Sequence, residues 1–202
     1  MTDILTLGNL LRLARETVSN PREGAATVLS FAPERQALWL MFALVIVLSL
    51  LLREFVAVFA GFPLDGPITG PMQGSTLMLG LVMAGFLYLT MHAVHRIGQF
   101  FGGTGSFEET ALLVIWLQFI LICLQVIQIA ALFILPWPWL AGLITIVAIA
   151  LYVWLLVNFI AVLHGFTSLG MVFVATLLSA FALLFAFSLV LSLLGLGVAP
   201  PA

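Results

Sequence analysis

Three histidines and two glutamates are the side chains of this sequence best suited to binding a metal ion. His92 and His95 are three residues apart, which places both on one side of a helix, and His164 ends a later apolar segment. Glu108 and Glu109 begin another apolar segment. Imidazole and carboxylate groups are common ligands of transition metals. Because His-x-x-His on one helix is a loose pattern, we keep the histidines as metal candidates but predict no bound metal and no cofactor.

Four amide side chains form a second polar group. Gln118, Gln125 and Gln128 follow one another at intervals of seven and three, so one side of a helix carries all three, and Asn158 lies in the next apolar segment. Amides inside a membrane form hydrogen bonds between helices. These residues therefore indicate helix packing, and the alternative is a polar path that carries a solute through a small transporter or channel.

No enzyme motif accompanies these residues. The sequence contains neither Gly-x-Ser-x-Gly nor His-Glu-x-x-His. The glycines of GGTGS, residues 102–106, lack both the preceding strand pattern and the Gly-Lys-Ser/Thr of a phosphate-binding loop. We therefore predict no enzymatic activity and no catalytic residues.

The elements that must position these residues are transmembrane helices. Of the 202 residues, 64% are hydrophobic and 7% are charged, whereas soluble domains have about 25% charged residues. A helix needs about 20 mostly apolar residues to cross a bilayer. Five segments meet this requirement, at residues 37–60, 76–95, 110–135, 140–163 and 170–194. The sequence predicts an all-α polytopic membrane protein whose five-helix transmembrane domain covers residues 36–198.

The arginines predict the orientation of these spans. Arg12, Arg15, Arg22 and Arg35 precede the first span and Arg96 follows the second, whereas the loop and the tail on the other side carry no Lys or Arg. By the positive-inside rule, the N-terminus is cytoplasmic and the C-terminus is periplasmic. The chain has no lysine, which we take to indicate a GC-rich bacterial genome and hence the bacterial inner (cytoplasmic) membrane.

Residues 1–35 form an N-terminal segment with amphipathic helices. One helical face of residues 4–18 carries an apolar stripe of Leu7, Leu10, Leu11, Ala14 and Val18. A second short helix over residues 21–31 begins with Pro21, and Asn20 before it is suited to capping. Amphipathic helices with arginines typically lie among cytoplasmic lipid headgroups. The alternative is that the first helix packs against the protein itself.

Two features of the spans concern packing. We expect Arg53 and Glu54, late in the first span, to anchor the outer surface, and the alternative is a transport gate. Adjacent positions point about 100° apart on a helix, so the two side chains need not pair. The fifth span carries a stripe of small residues, Ala175, Ser179, Ala182 and Ala186. Small residues in line let another helix approach closely, so this stripe is expected to pack inside the bundle or on a partner chain.

The stretch HGFTSLG, residues 164–170, interrupts a region without charged side chains. His164 suits the C-terminal end of a helix, Gly165 can take the left-handed conformation that follows it, and Ser168 or Thr167 can cap the next helix. The pattern predicts a tight turn between the fourth and fifth spans. The alternative is a site for a ligand or a partner.

Several stretches in fixed order resemble the bacterial branch of the Yip1 family. They are TVSNPRE, GGTGSFEETALLVIW, WLLVNFIAVLHGF and SLGMVF. The resemblance implies a five-span membrane protein with a cytosolic N-terminal segment. Eukaryotic members bind small GTPases and assist vesicle formation, and the family has no known catalytic residues. Their Asp-Leu-Tyr-Gly-Pro signature precedes the first span, whereas PLDGP at residues 63–67 follows it here, so GTPase binding is not carried over.

These observations together predict a non-enzymatic membrane protein of Yip1 type. It would act as a scaffold, in membrane organisation or a trafficking-like role, through its cytosolic face. The partners implied are the lipid bilayer, a protein on the cytosolic face and a second copy of the chain in a homo-oligomer. A net charge of −2 does not suit nucleic acid. The alternative function is the small transporter or channel with its polar path along the third and fourth spans.

Overall fold

The structure, a computed structural model, describes residues 6–60, 75–134 and 138–193, and within them the chain is helical without strands. The helices are α1 (Leu7–Ser19), α2 (Pro21–Leu29), α3 (Arg35–Ala60), α4 (Thr76–Phe100), α5 (Phe107–Ile134), α6 (Pro138–His164) and α7 (Leu169–Leu193). The predicted all-α fold with five membrane-spanning helices is confirmed. The segment at residues 63–67 and the tail after residue 194 lie outside the described residues.

Each of α3 to α7 is long and apolar enough to cross a bilayer. They have 25 to 28 residues, which is about 37–42 Å of helix for about 30 Å of hydrocarbon. The predicted bounds are short at two ends: α4 continues to Phe100, and α5 already begins at Phe107. The prediction followed the loss of hydrophobicity near Arg96 and Glu109, but the helices continue into the polar interface until a cap ends them.

The central helix of the bundle is α5, which packs against α2, α3, α4 and α6. In its most apolar stretch 56% of the residues are buried, and Leu113, Leu117 and Ile120 are nearly inaccessible. By contrast, α7 lies at the periphery, with its principal contacts to α4 and α6, and 6% of its most apolar stretch is buried. Most of α7 therefore presents its side chains to lipid.

The first two helices form an N-terminal hairpin that packs on the flank of the bundle, against α5 and α6. Ala25 and Val28 of α2 are buried there. The Trp116 indole N–H donates to the buried Thr17 hydroxyl (3.3 Å), which donates to the carbonyl of Leu13 (2.7 Å). Trp116 lies seven residues, or about 10 Å, beyond Glu109 in α5. The hairpin thus contacts α5 further into the bundle than Glu109, the last charged residue of that helix.

The apolar stripe of α1 is divided between the protein and its surroundings. Ala14 is buried and Leu10 and Val18 pack against the core, whereas Leu7 and Leu11 are 67% and 45% exposed. Contact with the protein is therefore observed for part of the stripe, and contact of Leu7 and Leu11 with lipid headgroups stays a prediction. The Asn20 side chain makes no capping hydrogen bond, although Pro21 begins α2 as predicted.

Arg53 and Glu54 form an ion pair, a contact that the sequence left open. Arg53 Nη1 lies 2.9 Å from Glu54 Oε1, and the Thr76 hydroxyl donates to the same oxygen (3.2 Å). The flexible arginine side chain overcomes the angle between adjacent positions. The pair ties α3 to the start of α4 at the end of the bundle remote from the N-terminal hairpin.

We predict that Gly24→Ala detaches α1 from α2, because a Cβ at Gly24 would lie 2.5–2.7 Å from side-chain and backbone atoms of Thr17. The expected loss of stability is about 1–3 kcal/mol, measured as a lower thermal unfolding midpoint and faster proteolysis of the N-terminal hairpin. Gly8→Ala is the matched control in α1, because a Cβ there meets nothing within 4 Å. Equal behaviour of the two variants would contradict the prediction.

Candidate functional site

The candidate site lies on the N-terminal side of the bundle, defined as the side with the α4–α5 and α6–α7 connections. Helix α4 ends in a Schellman motif: Gly102 has φ +87°, and the N–H groups of Gly102 and Gly103 donate to the carbonyls of Gln99 (2.9 Å) and Gly98 (2.8 Å). Ser106 and Glu109 then form a capping box. The Ser106 N–H and hydroxyl both donate to the Glu109 carboxylate, and the Glu109 N–H donates to the Ser106 hydroxyl. The chain therefore turns directly into α5.

The α6–α7 connection is built in the same way. Gly165 has φ +71°, and its N–H and that of Phe166 donate to Val162 (3.4 Å) and Ala161 (2.9 Å). The Ser168 hydroxyl accepts from the N–H of Met171 (3.4 Å) at the start of α7. The structure thus places His164, Gly165 and Ser168 in a tight turn.

The side chain of His164 fills the gap between the two connections. It is 3% exposed and lies against Gly98 of α4 and Gly103 of the α4–α5 connection, so closely that a Cβ on either glycine would overlap its ring. A Cβ on Gly105 would lie 2.6–2.8 Å from Leu163. The glycines of GGTGS therefore let the chain wrap around the end of α6.

The His164 ring is polar but unpartnered. Neither of its ring nitrogens, nor Nδ1 of His95, has a hydrogen-bond partner among the described residues. His95 and Glu109 lie close enough to interact with the ring electrostatically. The side chains of α4, α5 and α6 thus converge on one buried imidazole.

The three histidines are only partly brought together. His92 Nδ1 lies 3.3 Å from the carbonyl of Tyr88, and its ring contacts those of Tyr88 and Phe107 at 4.4 and 4.6 Å. His95 also faces Phe107, with ring centroids 5.9 Å apart. Among the described residues, no group of three His, Cys, Asp or Glu side chains could hold a metal ion. The arrangement of His92 and His95 is that of aromatic packing around Phe107.

The amides of α5 and α6 make contacts in different directions. Gln118 donates to Ser49 of α3 (3.3 Å), and Gln128 donates to Thr145 of α6 (3.0 Å). Asn158, which is 3% exposed, donates to the carbonyl of Trp154 within its own helix (2.8 Å). Gln125 is half-buried. The hydrogen bonds of Gln118 and Gln128 join neighbouring helices.

Sequence reasoning missed a cleft of about 450 Å³ between α4, α6 and α7. It is lined by none of the four amides and by no charged side chain. The small-residue stripe of α7 is the signal that indicated close packing here: Ala175 and Ser179 are half-buried in the cleft, while Ala182 and Ala186 are exposed outside it. The stripe is thus divided between the cleft and the exposed surface of α7.

We predict that Gly98→Ala destabilises the protein by displacing the His164 ring, by about 1–3 kcal/mol. Gly85→Ala is the control on the same helix, because a Cβ there meets nothing within 4 Å. The thermal unfolding midpoint should fall for the first variant alone. In the His164→Ala background Gly98→Ala should cost much less, and an undiminished cost there would show that the clash involves another neighbour.

Comparison with known proteins gives a match to a protein family. No curated protein and no solved structure matches the chain significantly. A scan of protein families matches the Yip1 domain over residues 15–190, a range that begins in α1 and ends in α7. The match covers the end of α1, all of α2 to α6, most of α7 and the two connections around His164, and the chain therefore belongs to the Yip1 family.

Proposed function

We propose that this protein is a non-enzymatic scaffold of the bacterial inner membrane that organises the membrane or its proteins, in a trafficking-like role, through its cytosolic face. In this proposal the N-terminus is cytoplasmic and the C-terminus periplasmic. The interacting surface consists of the N-terminal hairpin with the two connections beside it. Its partner is a protein on the cytosolic face, and the bilayer and a second copy of the chain are its other contacts.

The observation that carries the proposal is the docked N-terminal hairpin. Its inner face is fixed by the Thr17–Trp116 hydrogen bond and by buried Ala25 and Val28. Its outer face presents Arg15 and other exposed charged residues, namely Arg12, Glu16, Arg22 and Glu23. Charges held on a packed helix lose less conformational freedom on binding than charges on an unstructured segment. The hairpin is thus suited to recognise a partner rather than only to anchor the chain.

The distribution of arginines supports the proposed orientation. Arg12, Arg15 and Arg22 lie on the N-terminal hairpin, and Arg35 and Arg96 lie at the same side, near the start of α3 and the end of α4. The sixth arginine is at the other end of α3, where Glu54 pairs with it. Five of the six arginines therefore lie on one side, as the positive-inside rule requires of a cytoplasmic side.

We predict that a photo-crosslinking amino acid at Arg12 or Arg15 captures a protein of defined mass in intact cells. The triple change Arg22→Glu, Glu16→Lys and Glu23→Lys keeps the labelled position but alters the charge around it, and should abolish that product because electrostatic complementarity selects the partner. The same crosslinker at Leu189, exposed on α7, is the control and should give no such product. Products from the hairpin positions that contain only lipid would contradict a protein scaffold.

We also predict the orientation directly. Alkaline phosphatase fused after Ala202 should be active, and green fluorescent protein fused there should not fluoresce, because both depend on the compartment that the C-terminus reaches. The same reporters fused before Met1 should give the opposite pattern. A fluorescent C-terminal fusion would place the N-terminal hairpin on the periplasmic side and overturn the proposed cytosolic interaction.

A further inference from the structure

We propose that the cleft between α4, α6 and α7 binds one acyl chain of an anionic phospholipid, taken from the leaflet on the N-terminal side of the bundle. The headgroup lies beside the α6–α7 turn and the chain extends toward the middle of the membrane. The inference concerns a lipid site and does not depend on the identity of the protein partner or on which compartment this side faces.

The length of the cleft fits one leaflet. Along α4 its lining runs from Phe101 to Phe86, fifteen residues or about 22 Å of helix. Half of the hydrocarbon thickness is about 15 Å, and the remaining length reaches into the headgroup region. The cleft thus begins at the membrane surface and ends close to the bilayer centre.

The size of the cleft suits a single hydrocarbon chain. A volume of about 450 Å³ lies within the range of roughly 300–1,000 Å³ of pockets that hold small molecules, and it extends along about 22 Å of helix. A flexible hydrocarbon chain is the membrane component that matches a long apolar cleft of this kind. A helix of a second copy of the chain is the other possible occupant, and the experiment below distinguishes the two.

Most of the side chains that line the interior of the cleft are apolar. Of the hydroxyl groups that line it, that of Thr90 donates to the carbonyl of Phe86 (2.9 Å), and that of Ser179 donates to Ala175 (2.6 Å). These two hydroxyls are thereby satisfied within their own helix. The deep end is lined by Leu183 and Leu184. This surface complements a hydrocarbon chain.

The shallow end of the cleft is polar. Thr167 and Ser168 line it. Arg96 does not line the cleft, but it lies at the same level of α4 as the lining residue Ile97, and its long side chain can reach a headgroup bound at that level. Arg96 is exposed and forms no ion pair with a described residue. Hydroxyl groups and a free guanidinium complement a phosphate headgroup. The cleft thus matches an amphiphile along its length, with an anionic head and one apolar tail.

An acyl chain would also complete the packing of α7. The deep end of α7 is held to α4 through the ring contact of Phe86 with Phe187, at 5.1 Å, and its first turn is held by the connection to α6. Between these two points the cleft lies between the helices. Protein interiors are close-packed, and a bound chain supplies the contacts that are missing here.

The test uses the full-length protein in nanodiscs of phosphatidylcholine and phosphatidylglycerol that contain a phosphatidylglycerol probe with a diazirine on its acyl chain. After irradiation, labelled residues are located by peptide mass spectrometry. We expect adducts on cleft residues of α4 and α7. Ala175→Phe, which fills the cleft, should remove most of them, and Ala182→Phe, the same change on the exposed side of α7, should leave them unchanged.

Two further variants make the test decisive. Ser179→Leu narrows the cleft with a side chain smaller than that of Phe. It is used in place of Ala175→Phe if the Ala175→Phe protein is not monodisperse. Arg96→Gln should reduce labelling by the phosphatidylglycerol probe but not by the corresponding phosphatidylcholine probe. Labelling that is equal in the Ala175 or Ser179 variant and in Ala182→Phe would overturn the lipid site. Disulfide crosslinking of two copies through Ser179→Cys, without lipid adducts, would assign the cleft to a protein contact instead.

Discussion

The backbone on the N-terminal side of the bundle has to reverse direction twice, and at each reversal the last carbonyls of a helix have no partner within that helix. Helices α4 and α6 both meet this requirement with a Schellman ending, in which Gly102 and Gly165 take positive φ values and the last carbonyls accept backbone N–H groups. These endings fix where α5 and α7 begin. They also bring the α4–α5 connection against the end of α6, which is how His164 comes to be enclosed by Gly98 and Gly103.

The elements of this fold were predictable because the bilayer imposes one length and one polarity on each span. The ends of the helices were less predictable. The predicted second span stops at residue 95, where charge begins, whereas α4 continues to Phe100 because its end is decided by the glycine at 102. The Arg53–Glu54 pair was left open for a related reason: helix geometry fixes the direction of Cα–Cβ bonds but not the reach of an arginine side chain.

The candidate site was less accessible to sequence reasoning because it is made of contacts between distant segments. Thr17 and Trp116 are 99 positions apart, and no local pattern distinguishes an α1 that lies on headgroups from one that packs on α5. Likewise, the residue types of Gln118 and Gln128 indicated interhelical hydrogen bonds, but their partners on α3 and α6 depend on the rotation of α5. The cleft depends on how far α7 diverges from α4, which apolar residues alone do not specify.

The docking of the N-terminal hairpin onto α5 and α6 has a consequence for biogenesis. The helices that receive α2 are complete only when the chain reaches His164, about 135 residues after Leu29. At a synthesis rate of roughly 5–20 residues per second, that interval lasts roughly 7 to 27 s. During it the seam formed by Ala25 and Val28 has no binding surface on its own chain. The hairpin is therefore made well before the helices that receive it, and until they are complete the nascent hairpin is open to chaperones and membrane lipid.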